Sequence, residues 1–137
     1  MLPNNSIASH EAAIRRGSSV MSIDLSGRSV LIVEDEPLIA IDIAQALTSA
    51  HATVVIAATL QDGLRLAEHP TLSAAVLDLI LGQDDAVVLI KRLSARGVPY
   101  IIYTGYVEIP AECTPSAILQ KPARGEALLR TLAQVLA

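Results

Sequence analysis

Ala74-Ala75-Val76-Leu77-Asp78-Leu79-Ile80-Leu81-Gly82 places one carboxylate inside an unbroken apolar run. A run of this length, bounded by polar residues, reads as a strand buried on both faces of a parallel sheet. Carboxylates are rarely buried in such strands. At the carboxyl end of the strand, however, Asp78 would face the crevice where open α/β sheets place their ligands. The other apolar runs fit the same scheme. Val30–Val33, Thr53–Ala57, Tyr100–Tyr103 and Ile118–Gln120 read as further strands. Between them lie helical patterns over Pro37–Ala50, Leu60–Glu68 and Ala86–Arg96, with a last amphipathic helix over Arg124–Leu136.

Local signals mark the joints. Pro37 suits a first helical turn, and the acidic Glu34-Asp35-Glu36 before it complements the helix dipole. His69-Pro70 ends the second helix. Gly82-Gln83-Asp84-Asp85 reads as a loop, with Asp85 as N-cap of the third helix and Gly97 as its C′ residue. Strands alternating with helices give an α/β fold, a five-stranded parallel sheet covered on both faces. Right-handed crossovers leave few strand orders, of which the flavodoxin-like, doubly wound 2-1-3-4-5 is one.

The sequence of 137 residues suits one domain, expected over 25–137 and preceded by a polar, mobile extension over 1–24. Met21 is an alternative start. A net charge of −4 argues against non-specific nucleic-acid binding. No apolar run reaches the ~20 residues that span a bilayer, and no signal-peptide core is present. One cysteine, Cys113, excludes an internal disulfide and fits a reducing compartment. These features together predict a soluble, cytoplasmic monomer.

The polar residues at the predicted strand ends form a set. Glu34 and Asp35 follow the first strand, Asp78 closes the third, Thr104-Gly105 follow the fourth and Lys121-Pro122 the fifth. In a parallel sheet these ends share one edge. Three carboxylates, a hydroxyl and an ammonium would converge there. Close carboxylates repel one another unless a cation joins them, and a hard ion such as Mg²⁺ fits oxygen donors. The lysine suits a phosphoryl oxygen as a point charge. The set therefore suits phosphoryl transfer, with a carboxylate as nucleophile. Asp78, Thr104 and Lys121 are the expected reacting group and its supports. Lys121, near the surface of the cleft, is expected to matter for signalling more than for folding.

Four short motifs, Ile32-Val33-Glu34-Asp35-Glu36-Pro37, Val76-Leu77-Asp78, Tyr103-Thr104-Gly105 and Lys121-Pro122, stand in the order of response-regulator receiver domains. The chain resembles that family from about Ser26 to Ala137. The resemblance implies that Asp78 accepts a phosphoryl group from a phosphohistidine, on a histidine kinase or a phosphotransfer protein. It implies Mg²⁺ held by Asp35 and Asp78, by Glu34 partly through water, and by the Ile80 backbone carbonyl. Thr104 would follow the phosphoryl group and Lys121 would pair with it. Pro99-Tyr100-Ile101-Ile102-Tyr103-Thr104-Gly105-Tyr106 resembles the signature of the FATGUY group of single-domain receivers, which implies a kinase of the HWE type. Such a protein is a phosphoacceptor rather than an enzyme with a separate substrate. No second domain is expected after Ala137, so no DNA-binding output is expected, and output should run through protein–protein contact or as a phosphate sink.

The main alternative is a degenerate receiver, an interaction module that needs no phosphorylation. The complete acidic, Thr and Lys set speaks against it. A haloacid dehalogenase-like phosphohydrolase would need a second aspartate where Ile80 stands. A nucleotide-binding fold would need a Gly-rich loop after the first strand.

Two features depart from the receiver pattern. Ile118 takes the place of the usual switch aromatic, and only sixteen residues (105–120) separate Thr104 from Lys121. Pro110 and Pro115 leave room for about one helical turn between them. The helix after the fourth strand is therefore expected to be shortened or absent. Its segment is expected to be mobile at rest, and to be ordered when phosphorylation draws Thr104 toward Asp78. Tyr106 is the candidate recognition residue beside it. His10, His51 and His69 show no ligand spacing and are expected at the surface.

Overall fold

A computed structural model describes residues 23–105, 108–111 and 113–137. Its elements in chain order are β1 (Ser29–Val33), α1 (Pro37–Ser49), β2 (Thr53–Ala57), α2 (Leu60–Leu66), β3 (Ala74–Leu77), β4 (Ile80–Leu81), β5 (Asp84–Asp85), α3 (Val87–Ala95), β6 (Tyr100–Thr104), β7 (Ala117–Gln120) and α4 (Gly125–Leu136). The main sheet has the order β2-β1-β3-β6-β7, with every pairing parallel. Counting only its own strands, this is the expected 2-1-3-4-5.

Strand alternation divides the core in two. Leu31, Val33, Leu77 and Ile102 point to α2 and α3 and pack with Leu89 and Leu93. Val30, Ile32, Val76, Ile101 and Tyr103 point to α1 and α4 and pack with Leu47, Leu128 and Leu132. The central strands β1, β3 and β6 are thus covered on both sides, which is why their sequences are continuously apolar. The edge strand β7 alternates instead, with Ile118 51% exposed. Each fully buried Leu or Ile contributes about 1.5–3 kcal/mol. The burial continues to Ile23, which packs against the α1 side. The expected extension lies outside the described residues up to residue 22.

The helix boundaries move by one or two residues for local reasons. At the start of α2 the Thr59 hydroxyl accepts from Asp62 N at 3.1 Å. This helix stops at Leu66, short of the expected Glu68, and the chain turns through Ala67–His69. Ala86, not Asp85, occupies the cap position of α3. Asp85 still serves the helix, since its Oδ1 accepts from Val87 N at 3.0 Å. The expected loop Gly82–Asp85 is partly a hairpin, in which β4 pairs antiparallel with β5 around Gly82 (φ 65°). Gly97 (φ 70°) closes α3 as expected, whereas α1 is closed by a residue with a side chain, His51 (φ 72°). His51 and His69 are exposed, and His10 lies outside the described residues.

No helix occurs between β6 and β7 among the described residues. Several described residues of this segment are tied to the rest of the fold. Ile109 and Cys113 pack into the α2–α3 side of the core. Thr114 N donates to the Tyr100 hydroxyl at 2.8 Å, and Ser116 N donates to Tyr100 O at 2.9 Å. Irregular backbone is thus satisfied by one tyrosine from β6. Tyr106 and its expected recognition role lie outside the described residues.

One contact fixes how α4 approaches the site. A Cβ built on Gly125, the first residue of α4, would lie 2.9 Å from the Ala46 Cβ of α1. Glycine in a helix ordinarily costs about 1 kcal/mol relative to alanine. Here the gain should be reversed, because the two helices must separate to admit one methyl group. Gly125→Ala is expected to lower the melting temperature; a rise would show that α4 can shift freely.

Candidate functional site

The carboxyl ends of β1, β3, β6 and β7 meet at one edge of the sheet. Backbone bonds set the positions there. Glu34 N donates to Ala57 O at 3.0 Å, Asp78 N to Val33 O at 3.1 Å, and Lys121 N to Thr104 O at 2.9 Å. Glu34, Asp78 and Lys121 are each the first residue beyond a strand and Thr104 is the last in one, so they inherit the rigidity of the ladder.

Asp78 lies at the centre. Its Oδ1 accepts from the Thr104 hydroxyl at 2.9 Å and from Ile80 N at 3.4 Å. Its Oδ2 accepts from Lys121 Nζ at 2.7 Å. The same ammonium donates to Glu34 Oε1, also at 2.7 Å. Glu34 Oε2 accepts from Glu36 N at 3.1 Å. Asp35 is exposed, and its Oδ2 accepts from Gly82 N at 2.9 Å, tying the loop after β1 to the hairpin after β3. A cleft of about 400 Å³ opens over this group, lined by Glu36, Ile39, Asp78, Ile80, Thr104, Gly105 and Lys121.

The electrostatics follow from unequal burial. Glu34 is 2% exposed. Burial pushes its carboxyl above the ordinary value; the Lys121 and Glu36 hydrogen bonds oppose this, and the charge of Asp78 adds to it. Burial pulls Lys121 down, but its bonds to Asp78 and Glu34 outweigh burial and hold the ammonium above its ordinary value. Lys121, expected from the sequence near the surface of the cleft and with little bearing on folding, has a buried partner as well. Its side chain is 18% exposed and compensates a buried carboxylate.

A carboxylate oxygen from each of Glu34, Asp35 and Asp78 lies within 4.8 Å of the others. All are hard oxygen donors, and three carboxylates face one ammonium. Mg²⁺, which takes one or two carboxylates and keeps waters, fits this set. Asp35 is the exposed member of the three, whereas both oxygens of Glu34 and of Asp78 already have protein partners.

The sequence-predicted residues Glu34, Asp35, Asp78, Thr104 and Lys121 are all brought together, and Ile80 lines the same cleft. Thr104 already bonds Asp78, so the expected movement of Thr104 toward the aspartate is not required to make that contact. Asp84 and Asp85 are exposed in the hairpin and stand outside the acidic group. Cys113 is buried in the core. The Gly82–Asp35 bond spans 47 residues of sequence, and no local pattern announces it.

The model of the response regulator receiver domain family matches residues 30–133. The chain belongs to that family. Receiver domains are signalling phosphoacceptors of two-component systems, not enzymes acting on a separate substrate. Solved receiver structures agree with the fold. A CheY-like receiver domain protein from Methanospirillum hungatei is 28% identical, with a TM-score of 0.74, over 81% of this chain and 94% of that one. The response regulator PhyR from Brucella abortus is 25% identical, with a TM-score of 0.75, over 93% of this chain and 55% of that one. The receiver domain of the hybrid histidine kinase CckA is 28% identical, with a TM-score of 0.67, over 80% of this chain and 99% of that one. No curated protein sequence matches the chain. No helix among the described residues is long and apolar enough to cross a membrane.

Proposed function

We propose that this receiver accepts a phosphoryl group on Asp78 from a phosphohistidine of a histidine kinase or phosphotransfer protein. The observation that carries the reading is the Asp78 carboxylate, held between the Thr104 hydroxyl and the Lys121 ammonium at the end of the central strand. An Asp78 oxygen attacks phosphorus. The P–N bond breaks, and its electron pair leaves with the imidazole nitrogen, which takes up a proton. The product is an acyl phosphate. Thr104 and Lys121, already donors to Asp78, are placed to donate to the transferred oxygens. Mg²⁺ on Asp35, Asp78 and the Ile80 carbonyl, with Glu34 through water, would supply charge neutralisation for the phosphoryl oxygens. Positioning and charge do the rest of the work.

The likeness to PhyR and to a kinase-borne receiver supports a histidine kinase as the phosphoryl source. The Pro99–Tyr106 motif supports the narrower assignment to the FATGUY group and to kinases of the HWE type. Family membership supports a cytoplasmic protein whose contacts are with proteins, and a monomer is proposed with it. Output would run through such contacts or by draining the kinase.

Intact-mass measurement after incubation with phosphoramidate and Mg²⁺ tests the reading. The wild type should gain one phosphoryl mass, and Asp78→Asn should gain none. Equal labelling of the variant would move the acceptor elsewhere.

A further inference from the structure

Tyr103 is the last apolar residue of β6 before Thr104, and its side chain points to the α1–α4 side of the sheet. It is 8% exposed. Its hydroxyl does not end in solvent. It accepts from Ala123 N at 3.0 Å and donates to Ala123 O at 3.3 Å. The phenol thus spends its one proton and an acceptor site on the backbone of a single residue, two positions after Lys121. Its ring centroid lies 5.6 Å from Lys121 Nζ, within the range of a cation–π contact. One side chain therefore meets both the loop that carries the lysine and the lysine's charge.

This arrangement addresses a mechanical weakness. Lys121 follows the edge strand β7, and the next helix starts only at Gly125. Its main chain is held on one side by the bond from Lys121 N to Thr104 O. Arg124 caps α4 without a side-chain hydrogen bond. A four-carbon side chain on such a loop would have freedom to leave Asp78. The Ala123 clamp removes loop freedom, and the ring lies beside the ammonium as a further restraint.

We infer that Tyr103 is a positioning residue for phosphoryl acceptance: its hydroxyl fixes the Lys121–Arg124 loop and its ring holds the Lys121 ammonium toward Asp78. This rests on the proposed acceptor role of Asp78. Tyr103 touches neither Asp78 nor the phosphoryl site, so it acts through Lys121. Tyr103→Phe keeps the ring and loses the clamp; Tyr103→Leu loses both.

The test compares wild type, Tyr103→Phe and Tyr103→Leu at a temperature where each is folded. Two quantities are read: the rate of labelling by phosphoramidate with Mg²⁺, and the pH titration of the Lys121 Cε–Hε resonances by NMR. Labelling should slow by several-fold in Tyr103→Phe and by about tenfold or more in Tyr103→Leu, the loss expected from misplacing a charge-stabilising donor. The Lys121 resonances should shift in both, more in Tyr103→Leu. Wild-type labelling rates in both variants overturn the inference. So does slower labelling with unmoved Lys121 resonances, which would mark Tyr103 as merely structural. Should Tyr103→Leu fail to fold, Tyr103→Phe decides by the same criteria. A wild type that takes no label would sink the acceptor reading instead, and the Lys121 resonances alone would then decide the role of Tyr103.

Discussion

Lys121→Met should cost the folded protein about 3 kcal/mol and slow labelling of Asp78 by about a hundredfold. The two losses have different origins. Stability suffers because Glu34, 2% exposed, loses its counter-ion. Removing one partner of a buried pair is expensive for the partner that remains. Methionine keeps most of the stem's packing, so the loss reads the charge and not a cavity. The pH dependence identifies the culprit. Glu34 binds its proton more tightly folded than unfolded, so its contribution is fully present below the ordinary value of 4.5. That contribution is lost as pH rises through the raised folded value. In Lys121→Met the folded value should rise further. The variant's deficit should therefore be small in acid and grow toward neutral pH. Denaturant melts of both proteins at several pH values check this; a deficit independent of pH would mean that packing, not Glu34, is responsible. Adding Glu34→Gln to Lys121→Met should recover much of the stability and none of the labelling.

The fold was legible because its signals are local. Strand cores such as Val30–Val33 and Ala74–Leu77 are apolar throughout, and Pro37 and Gly97 mark helix ends by backbone chemistry. Where the signal was not local, the reading fell short. Asp84–Asp85 has no strand propensity, and its pairing with Ile80–Leu81 comes from the turn at Gly82. His51 closes α1 in a conformation usually left to glycine. The absence of a helix before β7 among the described residues followed from Pro110 and Pro115. The anchoring of that segment did not, because it depends on Tyr100 reaching Thr114 from another element.

The site divides in the same way. Residues at strand ends could be placed on one edge from topology alone, which located Glu34, Asp35, Asp78, Thr104 and Lys121. Their unequal burial could not. Glu34 and Asp35 are neighbours in sequence, yet one is buried and the other exposed. That difference arises because Glu34 continues the β1 ladder, bonding Ala57, while Asp35 turns out toward Gly82. It gives them different surroundings: Glu34 bonds the lysine, and Asp35 stands exposed beside the hairpin. Tyr103 was equally hidden. In sequence it is one more aromatic in a buried strand, and packing was the natural reading. Only the three-dimensional path of the chain after β7 brings Ala123 to its hydroxyl.

The division of labour between Asp35 and Lys121 has a consequence for Mg²⁺ that can be measured apart from phosphorylation. A cation that binds only the folded state stabilises it by about 2.7 kcal/mol at a hundred times its dissociation constant. Wild type should show that increment in thermal melts and a matching heat in calorimetric titration. Asp35→Asn should lose most of it, since the amide oxygen can still accept from Gly82 N but brings no charge to the cluster. Lys121→Met should behave oppositely. The ammonium is a resident cation 2.7 Å from both Glu34 and Asp78, and it competes electrostatically with any divalent ion placed among the same carboxylates. At an effective dielectric of about 20, a unit charge some 4 Å away is worth about 4 kcal/mol, so its removal should tighten Mg²⁺ binding by about tenfold even after relaxation. The variant that takes a phosphoryl group more slowly should thus bind the ion better, and excess Mg²⁺ should restore part of the stability lost with the lysine. Unchanged affinity in Asp35→Asn would remove Asp35 from the cation site. Weaker binding in Lys121→Met would mean that the lysine organises the carboxylates for the ion and does not compete with it.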